Sequence, residues 1–502
     1  MSDSSYRASL RSSSIIGGAQ VFTILASLAK MKVVAVVLGP AGVGLIGLYM
    51  NLVSTAAAIA SLGIGTTGVR HIVAAEADGG EVGVGRARRI LFWGSMALAL
   101  AGGGLFWLSS DWIARVVLSD ETRARDVAWL SLGVALTVAA GSQAALLTGL
   151  RRIGDLARIN VGAGVLGALV GIFGLWIWPA YGLVIMVLTA PTLSFVLGRL
   201  YITRLGRPAG LRPRLPEMTQ EWRAMARLGA AFMLSGVVIL LGQLAIRTLV
   251  QRELGADALG QFQAAWSISV TYLGFVLGAM ATDYFPRLTA AMKDRTSAVR
   301  LINEQTEVAL LLCAPVVLAM LAFSPWVIRL LYSSEFGPAV EVLRWQLLGD
   351  ILKVISWPLG FMQQARGAGK TFLATETAAS VLLVLAVFVG LPLFGLPATG
   401  IAFLAVYVLY LPSVWWLGRR WIDFRWTRSV RLQAIVILVI GVLVDLACRK
   451  SDVLGAVVGG SFAAAIAFWA LIRLSSLVGV GGRIGRIGEL GRKVSQWSTR
   501  TR

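Results

Sequence analysis

Lys30-Met31-Lys32-Val33-Val34-Ala35-Val36-Val37-Leu38-Gly39-Pro40-Ala41-Gly42-Val43-Gly44-Leu45 is the stretch whose reading decides the fold. It closes an apolar run that begins at Ser13, turns at Leu38-Gly39-Pro40-Ala41-Gly42, and leads into a second apolar run that ends near Gly68. A bilayer crossing takes about 20 residues, so the run from Ser13 to Gly39 is long enough to cross, yet two lysines stand well inside it. Each basic residue at the centre of a crossing helix costs about 2.5 to 3.5 kcal/mol, so the pair asks for a reason. Gln20, Thr23, Ser27 and Lys30 recur at helical spacing and lay one hydrophilic stripe along one face. Lys32 lies about 200° away from Lys30, at about 100° per residue, and is off that stripe.

Working outward, 57% of the 502 residues are hydrophobic and 14% are charged. A soluble protein could not hide so much apolar surface, which makes this an all-α polytopic membrane protein. The first run is too long for a cleavable signal, carries lysines and ends without an A-x-A-like site, so the first helix is expected to stay. Cys313 and Cys448 offer no metal or disulfide spacing, and His71 is the only histidine. No metal or cofactor is expected from that set. The net charge of +21 invites a nucleic-acid reading, but the basic residues lie in short segments between apolar runs, where positive-inside topology explains them.

Apolar runs at 13–39, 41–63, 90–109, 127–150, 157–177, 180–198, 228–250, 259–281, 305–323, 343–364, 372–391, 396–417, 431–447 and 453–474 predict about 14 transmembrane helices. An even number puts both termini on one side. The clusters Arg86, Arg88 and Arg89, then Arg151 and Arg152, then Arg199 to Arg214, make that side the cytoplasm. Most of these arginines read as orientation signals beside anionic headgroups.

A repeat crosses the chain: Leu38-Gly39-Pro40-Ala41-Gly42-Val43-Gly44 matches Leu254-Gly255-Ala256-Asp257-Ala258-Leu259-Gly260, and Arg151-Arg152-Ile153-Gly154 falls opposite Arg366-Gly367-Ala368-Gly369 at an offset one residue shorter. The expected organisation is a six-helix bundle over 1–205, a linker with an interfacial helix over 206–227, a second six-helix bundle over 228–420, two extra helices over 421–474, and a basic tail over 475–502. Thr219 to Arg227 forms the interfacial helix in this reading, with Trp222 at headgroup level.

Candidate site residues lie within the predicted spans. Arg247 stands between the repeat equivalents of Lys30 and Lys32, and either snorkels to the outer headgroups or serves a site. Gln346, Asp350, Lys353, Trp357 and Gln364 share one face of the tenth span, where Asp350 and Lys353 are spaced to pair. That stripe is either a structural ion pair or the wall of a cavity for a polar ligand, and the amides and the aromatic favour the wall. Asp283 and Arg287 close the inner end of span eight, and Glu376 enters span eleven. Lys30, Lys32, Arg247 and Lys353 against the one clear interior acid, Asp350, favour an anion, and phosphate or pyrophosphate suits ammonium and guanidinium donors.

The Lys30 to Leu45 stretch, together with Glu335-Phe336 and Trp345-Gln346-Leu347-Leu348-Gly349-Asp350-Ile351-Leu352-Lys353-Val354, resembles the Wzx-type flippases of the multidrug/oligosaccharidyl-lipid/polysaccharide exporter superfamily. The resemblance covers roughly residues 10 to 430. It implies two six-helix bundles around a central cavity in a bacterial inner membrane, both termini cytoplasmic. The implied cargo is an undecaprenyl-pyrophosphate-linked oligosaccharide, an O-antigen or enterobacterial-common-antigen-like repeat unit, moved by alternating access. The implied partners are membrane lipids and the polymerase and chain-length proteins of the same pathway. Lys30 and Lys32 match the family's first-helix basic pair, and Arg247 a basic residue of its seventh helix. Asp350, Lys353, Arg366 and Glu376 match positions of its tenth and eleventh helices, with Asp283, Arg287, Arg366, Asp350 and Glu376 as coupling or gating candidates. A peptidoglycan-precursor flippase or a multidrug antiporter would use the same fold. A membrane polymerase or ligase would call for a sizeable outer loop bearing acids or histidines, whereas the segments near 110–126 and 324–342 are short and free of histidine.

Overall fold

The structure is a computed structural model that describes residues 3–179, 181–206 and 215–478. Among the described residues there is no strand. The α-helices are α1 (Asp3–Ala60), α2 (Ile64–Leu108), α3 (Ser110–Ile113), α4 (Ala124–Gly149), α5 (Ile153–Ile177), α6 (Gly182–Thr203), α7 (Leu215–Ala291), α8 (Arg295–Ala322), α9 (Ser324–Leu331), α10 (Ala339–Ala365), α11 (Gly369–Phe394), α12 (Ala398–Ile422), α13 (Arg428–Lys450) and α14 (Asp452–Val478). Eleven stretches among the described residues are long and apolar enough to cross a membrane. α10 is not one of them, because its polar face lowers its hydropathy.

α1 and α7 are far longer than one crossing, given about 1.5 Å of rise per residue and a hydrocarbon core of about 30 Å. Each bends once, at a glycine. Gly39 has φ 63° and ψ −163°, and Gly255 has φ 86° and ψ 179°. Side chains are essentially excluded from that backbone region, so the two matching sequence turns share one conformation that only glycine takes easily.

The second pair of turns agrees as closely. Between α4 and α5, the Arg151 and Arg152 amides donate to the Thr148 and Leu147 carbonyls at 3.0 and 2.8 Å. Between α10 and α11, the Gly367 and Ala368 amides donate to Gln364 and Gln363, both at 2.9 Å. Arg151 (φ 55°) and Gly367 (φ 75°) are the left-handed residues. Arg151 therefore stands opposite Gly367, not Arg366, and the separation equals that between Gly39 and Gly255. Matching by residue identity misses this by one position, because the turn constrains backbone handedness and not the arginine.

The chain divides into two compact units, Met1–Ala264 with Leu331–Phe336 and Leu373–Pro392, and Ala265–Leu330 with Gly337–Phe372 and Leu393–Arg502. In the first, α2, α4 and α6 enclose Ile72, Ile90, Leu91, Leu146, Leu147 and Ile202. In the second, the ends of α7, α8, α10 and α12 enclose Tyr284, Leu288, Ile302, Leu359, Met362 and Val414. α13 and α14, the two extra helices of the expected organisation, are tied to α8: Glu307 accepts from Gln433 Nε2 at 3.1 Å and from Arg473 Nε at 2.9 Å.

Thr219 to Arg227 is not a separate helix but the beginning of α7. Trp222 turns inward and donates its indole N–H to the Ile90 carbonyl at 2.9 Å. Gly94 leaves room for the ring, since a Cβ there would lie 2.4 Å from the indole nitrogen. A half-buried indole needs an acceptor, and a backbone carbonyl supplies it as well as a headgroup would. The segment before residue 90, expected as a loop, is helical from Ile64 and bends at Gly80. Residues 207–214 of the expected linker and 479–502 of the expected tail lie outside the described residues.

Candidate functional site

In the first unit the two bends meet. A Cβ on Gly260 would lie 1.8 Å from the Pro40 carbonyl oxygen, and one on Gly44 would lie 2.7 Å from the Gly260 amide nitrogen. α1 and α7 thus cross backbone to backbone at small residues, as packed membrane helices do. The segment after α9 folds onto this crossing. Lys32 Nζ donates to the Tyr332 carbonyl, and Gln261 Nε2 donates to the Glu335 carbonyl at 2.8 Å.

Arg247 points into the same unit and is 4% exposed. Its Nε donates to Gln263 Oε1 and its Nη1 to the Gln243 carbonyl, both at 3.1 Å. The guanidinium carbon lies 5.8 Å from the centre of the Phe262 ring. This geometry is not that of an arginine reaching for an outer surface. Lys30 is 8% exposed, and Glu376 is half-buried on α11.

In the second unit α10 carries the expected stripe. Asp350 is fully buried, and its Oδ2 accepts from Ser269 Oγ at 2.8 Å and from Tyr272 OH at 3.2 Å. Asp350 Oδ1 and both polar atoms of the buried Gln346 have no hydrogen-bond partner among the described residues. Lys353 Nζ stands 5.7 Å from the Phe403 ring centre and 5.9 Å from that of Tyr407. The carboxylate accepts from hydroxyls of α7 and the ammonium also faces rings of α12, partners that the i, i+3 spacing does not name. Trp357 stacks on Tyr284 at 5.7 Å and packs edge-on to Phe361 at 4.8 Å, so it belongs to the aromatic core of this unit.

The remaining candidates lie elsewhere. Asp283 and Arg287 pair at 2.9 Å on an exposed surface. Arg366 lies 4.9 Å from the Trp421 ring centre, with its Nη1 3.4 Å from the Trp421 carbonyl. The polarity of span eight marks Gln263, Ser269 and Tyr272 in the sequence, but spacing does not name them, or Tyr332, as the partners of these charges. The available signal was the run of hydroxyls and amides in span eight, from Gln261 to Tyr272.

Known proteins resemble this chain in sequence and in fold. The lipid III flippases of Escherichia coli (strain K12) and Shigella flexneri are each 28% identical over 405 residues, covering 76% of this chain and 90% of the relative. The inward closed conformation of the lipid II flippase MurJ matches with a TM-score of 0.69 at 11% identity, covering 91% of this chain and 99% of that one. An inward-facing multidrug resistance MATE family transporter of the MOP superfamily matches with a TM-score of 0.66 at 17% identity, covering 82% and 98%. These likenesses establish the fold. The family of polysaccharide biosynthesis proteins matches residues 33–341, more than half of the sequence and all of the crossing built on Gly44 and Gly260, and the chain belongs to that family.

Proposed function

We propose that this chain is a flippase that carries an undecaprenyl-pyrophosphate-linked oligosaccharide, an O-antigen or enterobacterial-common-antigen-like unit, from the cytoplasmic to the periplasmic leaflet of a bacterial inner membrane. The observation that carries the reading is the burial of Lys30 and Arg247 within helices long and apolar enough to cross a bilayer. Charges at that depth are retained where they handle a polar group in transit. Ammonium and guanidinium donors match the phosphoryl oxygens of a diphosphate. The lipid III flippase relatives support the same cargo class.

In this reading both termini are cytoplasmic, the two six-helix repeats alternate access through a cationic cavity, and the polyprenyl chain stays in lipid. Lys30, Lys32 and Arg247 of the first unit, and Gln346 and Lys353 of the second, are the candidates for contact with the headgroup during transit. Asp350 and Glu376 are the sites for coupling to an ion gradient, because a carboxylate inside a span, buried at Asp350 and half-buried at Glu376, changes its surroundings when it gains or loses a cation. The polymerase and chain-length proteins of the pathway act on the delivered unit.

Lys32→Ala, Arg247→Ala and Lys353→Ala, each expressed normally in a strain lacking the native gene, test the proposal. Loss of surface polysaccharide with lipid-linked units accumulating in the inner leaflet, and the cell wall intact, is the expected result. Normal surface polysaccharide in all three strains removes the cationic-site reading, and a wall defect reassigns the cargo to a peptidoglycan precursor.

A further inference from the structure

We infer that a cavity of about 650 Å³ in the first unit, between α2, α4 and α6, binds the phosphate of a lipid headgroup. Arg88, Arg89 and Arg199 line it, and among its described lining residues none is acidic. Two residues before Arg88, Arg86 is paired with Glu221 at 2.8 Å and Glu217 at 3.2 Å, acids that are not among the described residues lining the cavity. Basic residues that served only as orientation signals would not need this segregation from the neighbouring acids.

The arginines have different tasks. Arg88 Nη1 donates to the Gly206 carbonyl at 2.9 Å and Nη2 to the Ile202 carbonyl at 3.1 Å, which fixes it to the C-terminal end of α6, where a cation is favoured. Arg199 is exposed, and its guanidinium carbon lies 5.4 Å from the Phe92 ring centre, so the plane is held while its N–H groups stay open to a ligand. Arg88 is thus a positioning residue, and Arg199 a ligand-contacting one.

At the back of the cavity Gln143 is 6% exposed, and its Oε1 has no hydrogen-bond partner among the described residues. Its amide is pressed against Gly198, where a Cβ would lie 2.1 Å from that oxygen. A buried amide left incomplete calls for a partner, and rotation of its terminal group turns its NH2 into a donor to a phosphate oxygen. The rest of the wall, including Leu91 and Leu146, is apolar. Guanidinium groups beside apolar carbon suit an amphiphile with a phosphate head better than a free anion. This inference does not rest on the cargo proposed above, because any phosphate-headed lipid satisfies it.

The full-length protein in zwitterionic phospholipid nanodiscs, examined by native mass spectrometry, tests it with phosphatidylglycerol, a polyprenyl diphosphate, the neutral polyprenol and inorganic pyrophosphate as probes. Arg199→Gln should weaken retention of the phosphate-headed lipids about tenfold, equivalent to about 1.4 kcal/mol. Arg199→Lys should recover most of it, and polyprenol should be retained equally by both proteins. Preference for the diphosphate over phosphatidylglycerol would make the polyprenyl lipid the source, and equal retention would make it bulk phospholipid. Retention unchanged in Arg199→Gln and in Gln143→Leu overturns the site, and displacement by equimolar pyrophosphate overturns the lipid assignment. Lys32→Ala should lose transport with this retention intact, so the two proposals fail separately.

Discussion

Replacing Gly260 by alanine is the sharpest test of how α1 and α7 meet. The added Cβ would lie 1.8 Å from the Pro40 carbonyl oxygen and 2.4 Å from its carbon, both backbone atoms that no rotamer change can move. Ordinary nonbonded carbon contacts are roughly 3.5 Å, so the two helices must part by more than about 1 Å. Overpacking of this kind costs about 3 kcal/mol, the upper end of the usual range. Gly255→Ala provides a different scale, since nothing lies within 4 Å of its Cβ position and the penalty is the strain of φ 86° alone. That strain is about 2 kcal/mol. Gly236→Ala is the reference: it is helical, at ordinary φ and in open space, so alanine there should be neutral or stabilising by about 0.5 kcal/mol. Thermal unfolding of the purified protein in detergent, followed by tryptophan fluorescence, should therefore rank the midpoints Gly236→Ala above Gly255→Ala above Gly260→Ala. Should Gly260→Ala not accumulate, Gly44→Ala is the milder probe, with its closest backbone contact at 2.7 Å. A Gly260→Ala midpoint equal to that of Gly236→Ala would refute the close crossing.

Other expectations follow from single contacts. Asp350→Leu leaves the Ser269 and Tyr272 hydroxyls without their acceptor and should cost about 2 kcal/mol, whereas Asp350→Asn, which keeps a carbonyl oxygen, should cost under about 1 kcal/mol; the two unfolding midpoints decide. Trp222→Phe removes the hydrogen bond to Ile90 while keeping most of the ring, and should lower stability by about 1 kcal/mol. Asp294 caps α8, and hydrogen bonds from the Ser297 side chain and from the Ser297 and Thr296 amides hold its carboxyl below the ordinary 3.8. A lowered folded value means the cap is fully effective above pH 3.8 and is lost as pH falls through that lower value. Hydrogen-exchange protection of the first turn of α8 should accordingly drop in acid for the native chain, and be low at every pH in Asp294→Ala.

The fold was legible wherever a local rule demanded a particular residue. Gly39 and Gly255 could be matched from sequence because their backbone conformation admits glycine almost alone. The α4–α5 turn was misaligned by one position because Arg151 occupies a left-handed site that glycine fills at Gly367, so residue identity pointed the wrong way. Helical spacing found the polar face of α10 for the same reason that it finds any face. It could not find what stands opposite. Ser269 and Tyr272 approach Asp350 from a distant part of the chain, and Phe403 and Tyr407 approach Lys353 from α12.

The arginine cluster shows the same limit in its electrostatic form. Composition gives Arg86, Arg88 and Arg89 one meaning, since a charge count cannot separate neighbours in sequence. The fold gives them two, because successive positions on a helix are turned by about 100°. Arg86 meets Glu217 and Glu221 at the start of α7, while Arg88 and Arg89 line a cavity whose described lining residues include no acid. Whether a basic loop residue orients the chain or binds a ligand is therefore decided by where the acids fall, and that is set by the packing of α7 against α2 through Trp222 and Gly94. A change at Gly94, although uncharged, should disturb the pocket as much as the loss of an arginine, because a side chain there displaces the indole that seats α7 and its two glutamates.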